Sequence, residues 1–184
     1  GAVTVPVDVD ARTYNLDPEA VAAAVTPRTK VIMPVHMAGL MADMDALAKI
    51  SADTGVPLLQ DAAHAHGARW QGKRVGELDS IATFSFQNGK LMTAGEGGAV
   101  VFPDGETEKY ETAFLRHSCG RPRDDRRYFH KIAGSNMRLN EFTASVLRAQ
   151  LARLDEQIAV RDERWTLLSE LLGAIDGVVP QGGD

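Results

Sequence analysis

The chain has 184 residues, 44% of them apolar, with a formal net charge of −5. That length suggests about one domain with a substantial core. The interleaving of basic with acidic residues argues against a nucleic-acid partner, and no apolar run approaches the roughly 18–20 residues that span a bilayer. The single cysteine, Cys119, cannot form an intrachain disulfide, which fits a reducing, cytoplasmic setting. With no initiator Met and a final Gln181-Gly182-Gly183-Asp184, the chain reads as an internal fragment of a longer protein.

In chain order, Val3–Val9 reads as a strand. Asp17-Pro18-Glu19 is a helix start, with Asp17 as N-cap and proline at the first helical position, and the helix runs to about Val25. Lys30–Val35 is an apolar run of the kind found in buried strands. Met44–Thr54 has helical periodicity and stops at Gly55. Val56–Gln60 is the next buried strand and delivers Asp61 at its C-terminal end. Ile81–Phe86 is another and delivers Ser85. Gly97-Gly98 reads as a turn, Ala99–Phe102 as the strand leaving it, and Thr107–His117 as a helix. From Asn140 to Ile175 apolar residues including Phe142, Leu151, Leu154, Trp165 and Leu171 recur at helical spacing, predicting one long helix or two in line, mostly buried. Alternating strands and helices predict an α/β layered domain with a mostly parallel sheet, whose ligand sits beyond the C-terminal strand ends. Asp61 and Ser85 fall there.

Two segments carry the chemistry. The first, Gln60-Asp61-Ala62-Ala63-His64-Ala65-His66-Gly67, ends an apolar strand on a carboxylate, and a buried carboxylate is costly unless it is paired. The second, Phe84-Ser85-Phe86-Gln87-Asn88-Gly89-Lys90, continues through Leu91-Met92-Thr93-Ala94 to Gly95-Glu96-Gly97-Gly98, with one lysine in the loop after a strand. A lysine that forms a Schiff base must be partly desolvated, so that its amine is neutral often enough to attack. The pair resembles the Asp-x-Ala-x-x-x-Gly and Ser-Phe-x-x-x-Lys-x-x-x-x-Gly-Glu-Gly-Gly segments of the sugar aminotransferases, a family of fold-type-I pyridoxal-phosphate enzymes. Pro34-Val35-His36 and Gly134-Ser135-Asn136-Met137-Arg138 resemble two further segments of that family, so the resemblance covers essentially the whole chain.

The resemblance implies the aspartate-aminotransferase-like fold and pyridoxal 5′-phosphate as cofactor. Lys90 becomes the Schiff-base lysine and general acid/base, and Asp61 the partner of the protonated pyridine nitrogen. His64 falls near the ring's phenolic oxygen, and Ser85 on the phosphate. Asn136 corresponds to a residue that reaches the phosphate of a neighbouring subunit, implying a homodimer with a shared active site. Residues 1–140 would belong to the large cofactor-binding domain, and 141–184 to a long helix leading to a small C-terminal domain. Within the family, the Lys90 loop is most like members that aromatise an aminoshikimate-type substrate for ansamycin antibiotics by losing water. The alternative is transamination of a keto sugar or keto cyclitol. No metal is expected, since His66, His117 and His130 lack ligand spacing and read as surface or core residues. His36 is as much a structural hydrogen-bonding residue as a substrate contact. Glu96 is read as satisfying backbone donors near its glycines, and Arg121–Arg127 as a solvated loop. A dinucleotide-binding module would need a Gly-x-Gly-x-x-Gly turn after an early strand, and the sequence has none.

Overall fold

A computed structural model describes residues 1–123 and 128–182. Helix α1, Pro18–Ala24, starts where the Asp17 carboxylate accepts the Glu19 N–H at 2.9 Å. Helix α2, Met44–Thr54, is bounded by the Asp43 cap on the Ala46 N–H and by Gly55, whose φ of 71° suits a residue without a Cβ. These two helices bury Val21, Met44 and Leu47 in one core with Ile32, Val56, Leu58 and Ala82 of the sheet layer.

The strands are β1 (Leu59–Asp61), β2 (Arg69–Trp70), β3 (Lys73–Arg74), β4 (Ile81–Ser85) and β5 (Gly98–Val101). β1 and β4 run parallel with Asp61 opposite Thr83, while β5 returns antiparallel along β4 with Gly98 opposite Ser85. Residues 32–36 extend the sheet beyond β1. Their parallel ladder is complete (Ile32 N–H to Pro57 O, Leu59 N–H to Ile32 O, Asp61 N–H to Pro34 O, His36 N–H to Asp61 O) except at Pro34, which has no N–H to give. The run expected to be buried throughout is covered on one face only. Ile32 and Pro34 are buried, but Val31 and Met33 are exposed.

Two further expectations change, and one element was not anticipated. Val3–Val9 is not a strand: Val9 alone bridges to Leu16, and among the described residues no segment offers Val3 or Val5 a ladder. β2 and β3 form a hairpin the sequence reading did not anticipate. Its turn residues Gln71 (φ 48°) and Gly72 (φ 82°) are both left-handed, as a tight hairpin turn requires. After α3 (Thr107–His117), the C-terminal stretch forms two helices, α4 (Glu141–Ala152) and α5 (Leu154–Gly173), broken at Arg153. Their apolar residues are not core. Phe142 is 87% and Trp165 47% exposed, and only Leu154 is buried. The start of α5 is what docks: Ile158 occupies the space a side chain at Gly67 would need, and Arg74 pairs with Asp155 at 2.8 Å.

Candidate active site

The site forms where β1 and β4 end side by side. Adjacent strands lie about 4.8 Å apart with about 3.3 Å per residue, so Ser85, two residues beyond the partner of Asp61, sits roughly 8 Å from it across the sheet edge. Asp61 is half-buried. Its Oδ1 accepts the Ala63 N–H at 3.0 Å, and its backbone is fixed on both sides by Pro34 and His36. Among the described residues its Oδ2 has no donor. The Ser85 hydroxyl accepts the Gln87 N–H at 3.3 Å, which leaves its own proton free to be donated.

Lys90 follows in a loop held closed against β4. Lys90 N–H reaches Gln87 O at 2.9 Å, and Ala94 N–H and the Thr93 hydroxyl both reach Phe86 O. Phe86 N–H reaches Gly97 O at 2.8 Å. Gly97, at φ 135°, lets Leu139 pack where a Cβ would stand. The Lys90 side chain is half-buried, and its amine makes no ion pair or hydrogen bond among the described residues. The ends of β1 and β4 thus present a carboxylate oxygen and a hydroxyl proton, and the loop after β4 carries an amine, none of the three committed to a partner among the described residues. That set matches the pyridine nitrogen, aldehyde and phosphate of pyridoxal 5′-phosphate, so the residues present fit the cofactor.

Beneath Asp61 lies a buried polar network. His36 Nδ1 accepts the Ala42 N–H at 3.2 Å, so the ring proton is on Nε2, which donates to Gln60 Oε1 at 2.9 Å. The Gln60 amide then donates to the Ser80 hydroxyl at 2.8 Å. Burial pushes the His36 imidazole below its ordinary pKa, with the Gln60 hydrogen bond and the Asp61 charge opposing. His36 is therefore structural: it is fully buried and braces the backbone that carries Asp61. Gln60 and Ser80 were missed in the sequence. The available signal was a glutamine inside an apolar run, which must be paired if it is buried.

The remaining candidates are placed as follows. His64 is exposed, and its carbonyl lies against Gly39 of the Pro34–Gly39 segment. Asn136 is exposed too, and its side chain accepts the Arg138 N–H at 3.4 Å; among the described residues it makes no hydrogen bond to Ser85 or Lys90. The backbone around Asn136 is stapled to the end of α3: Ser135 N–H bonds Arg116 O at 2.8 Å, and Met137 N–H bonds His117 O at 2.9 Å. Glu96 is exposed and, among the described residues, makes none of the backbone hydrogen bonds expected of it. In the arginine-rich stretch, Arg121 stacks over Tyr128 at 4.4 Å and Arg123 over Phe114 at 4.2 Å, so these two side chains are held rather than free in solvent. Residues 124–127 of that stretch lie outside the described residues.

Comparison with known proteins shows the family. The DegT/DnrJ/EryC1/StrS aminotransferase family model matches residues 1–184. The 3-amino-5-hydroxybenzoate synthase of Amycolatopsis mediterranei (strain S699) is 98% identical over 184 residues, covering 100% of this chain and 47% of that protein. The L-glutamine:2-deoxy-scyllo-inosose aminotransferase of Micromonospora echinospora is 42% identical over 194 residues, covering 98% of this chain and 44% of that protein. The crystal structure of 3-amino-5-hydroxybenzoic acid synthase matches with a TM-score of 0.97 at 98% identity, covering 100% of this chain and 48% of that one. The chain spans about half the length of the curated relatives it matches.

Proposed function

The chain belongs to the DegT/DnrJ/EryC1/StrS aminotransferase family, and on that premise we propose that the protein carrying it is a 3-amino-5-hydroxybenzoate synthase. The fold is that of the fold-type-I pyridoxal-phosphate transferases, and pyridoxal 5′-phosphate is the family's cofactor. The observation that carries the proposal is 98% identity over the whole chain to an enzyme of that activity; Asp61 and Ser85 at the ends of neighbouring strands, with Lys90 in the loop that follows β4, support it. The substrate is 5-amino-5-deoxy-3-dehydroshikimate, which becomes 3-amino-5-hydroxybenzoate by losing one water and rearranging its double bonds. The setting is ansamycin antibiotic biosynthesis in the cytoplasm.

When bound, the cofactor accepts into its ring the electron pair left when the amine-bearing carbon of the substrate loses its proton. Lys90 would hold the cofactor through Nζ, its amine being freed for proton transfer once substrate is bound. The freed amine then takes that proton and gives one to the neighbouring hydroxyl as it departs as water. Asp61 keeps the pyridine nitrogen protonated through Oδ2, the oxygen left open by the Ala63 contact. Ser85 donates its hydroxyl proton to the phosphate. His64 would stand near the ring's phenolic oxygen, and Asn136 would reach the phosphate held by a second copy in a homodimer. Residues 1–140 form part of the large domain, and 141–184 lead toward a small C-terminal domain.

The second reading, amination of a keto cyclitol with an amino-acid donor, is favoured by the 42% identical inosose aminotransferase. The full-length holoenzyme should convert the aminodehydroshikimate to an aromatic product with no amine donor present, followed by ultraviolet absorbance and mass. Turnover only with glutamine and a keto cyclitol would replace the first reading with the second.

A further inference from the structure

His66 is 4% exposed, and neither of its ring nitrogens has a hydrogen-bond partner among the described residues. Its ring sits 5.8 Å from that of Phe84 and 6.0 Å from that of Phe86. These phenylalanines flank Ser85 in sequence, so they share the face of the β4 backbone opposite the Ser85 side chain, and His66 packs beneath them. The next residue, Gly67, lies against Ile158, which occupies the space a side chain there would need. One side of the ring borders a cavity of about 320 Å³ whose walls include Phe84, Phe86 and Met92. Met92 belongs to the Lys90 loop, so this space lies directly behind that loop.

A buried imidazole without a partner is destabilising, and a phenylalanine would fill the same aromatic slot without that penalty. The nitrogens therefore call for a role other than packing. The polar group beside the ring is the Ser85 backbone, and the charges it senses are those of Lys90 and His64. Burial pushes the His66 imidazole below its ordinary pKa. The Ser85 backbone opposes that shift, and Lys90 and His64 add to it. The ring is thus uncharged at neutral pH, with one nitrogen carrying a proton and the other a lone pair.

We propose that His66 is a positioning residue of the cofactor site. From beneath β4 it supports the Ser85 end of the strand and keeps the Lys90 loop from sinking into the cavity behind it, so that Ser85 and Lys90 reach one cofactor together. This inference rests on the cofactor reading above. The test uses the full-length holoenzyme and measures the dissociation constant for pyridoxal 5′-phosphate and the visible absorption band of the bound cofactor. His66→Phe keeps the ring packing and removes the nitrogens. It should weaken cofactor binding about 10-fold and shift the band, while His66→Asn, which restores a donor, should return binding to within about 3-fold of wild type. Unchanged affinity and band in His66→Phe, with wild type loaded through Lys90, would overturn the proposal and leave the cofactor reading standing. A wild type that holds no cofactor on Lys90 would overturn the cofactor reading itself. If His66→Phe does not fold, His66→Leu is read in the same way. Failure of both to fold would assign His66 to the fold alone and end the proposal.

Discussion

The network beneath Asp61 gives the sharpest stability prediction. In Gln60→Met the volume is nearly kept, but the His36 Nε2–H loses its only acceptor at a residue with no solvent exposure. An orphaned buried donor costs about 1–3 kcal/mol, and the lost bond to Ser80 adds about 0.5–1.5, for a total of about 1.5–4.5 kcal/mol. His36→Leu orphans the Ala42 N–H and the Gln60 Oε1, and should cost about 2–6 kcal/mol by the same reasoning. In the double variant neither side chain strands the other, so it should be more stable than the sum of the singles predicts by at least about 1 kcal/mol. Urea unfolding of the four full-length proteins measures the cycle. Additivity within about 0.5 kcal/mol would show that the 2.9 Å contact carries no coupling and that the network does not brace Asp61.

Asp61→Asn should leave the fold intact but lower turnover of the full-length enzyme at least about 100-fold, near 2.7 kcal/mol of transition-state stabilisation, because an amide cannot keep the pyridine nitrogen protonated. Steady-state rates check it, and near-normal turnover would remove Asp61 from its role. Mixing inactive Lys90→Ala with inactive Asn136→Ala subunits should restore about a quarter of wild-type activity, since random pairing makes half the dimers hybrids with one intact site each. No recovery in demonstrably exchanged dimers would mean that each site is built within one chain. His36 and His66 are both buried with pKa values pushed below 6.5. Below that pH the unfolded chain binds protons the folded chain refuses, so stability should fall on acidification from about pH 6.5, by up to about 1.4 kcal/mol per pH unit for each histidine. Urea midpoints between pH 7.5 and 5.5 should show the fall, and His66→Phe should reduce it; a flat profile would contradict the buried neutral assignments.

Elements whose signals are local were legible in the sequence. α2 and α3 have the predicted ends because Asp43, Gly55 and the helical spacing act within a turn or two. Asp61 and Ser85 were placed at strand ends because apolar runs ending in polar residues mark where parallel strands leave the core. What failed depends on partners distant in the chain. Val3–Val9 has strand composition and no ladder, and the apolar residues of α4 and α5 have helical spacing and little to pack against among the described residues. β2 and β3, two residues each, are too short for any periodicity, and only Gln71-Gly72 hinted at their turn. The link from His36 through Gln60 to Ser80 joins three separate segments, and the seat of His66 under Phe84 and Phe86 is likewise a fact of packing.

The central claim is that Lys90, in the loop closed over the end of β4, carries the cofactor. Borohydride reduction of the full-length holoenzyme, followed by peptide mapping, fixes the cofactor on the lysine that holds it. The label should appear on the peptide containing Lys90 and be absent from the Lys90→Ala protein. A label on Lys30, Lys49, Lys73, Lys109 or Lys131, or one that persists in Lys90→Ala, would contradict the account.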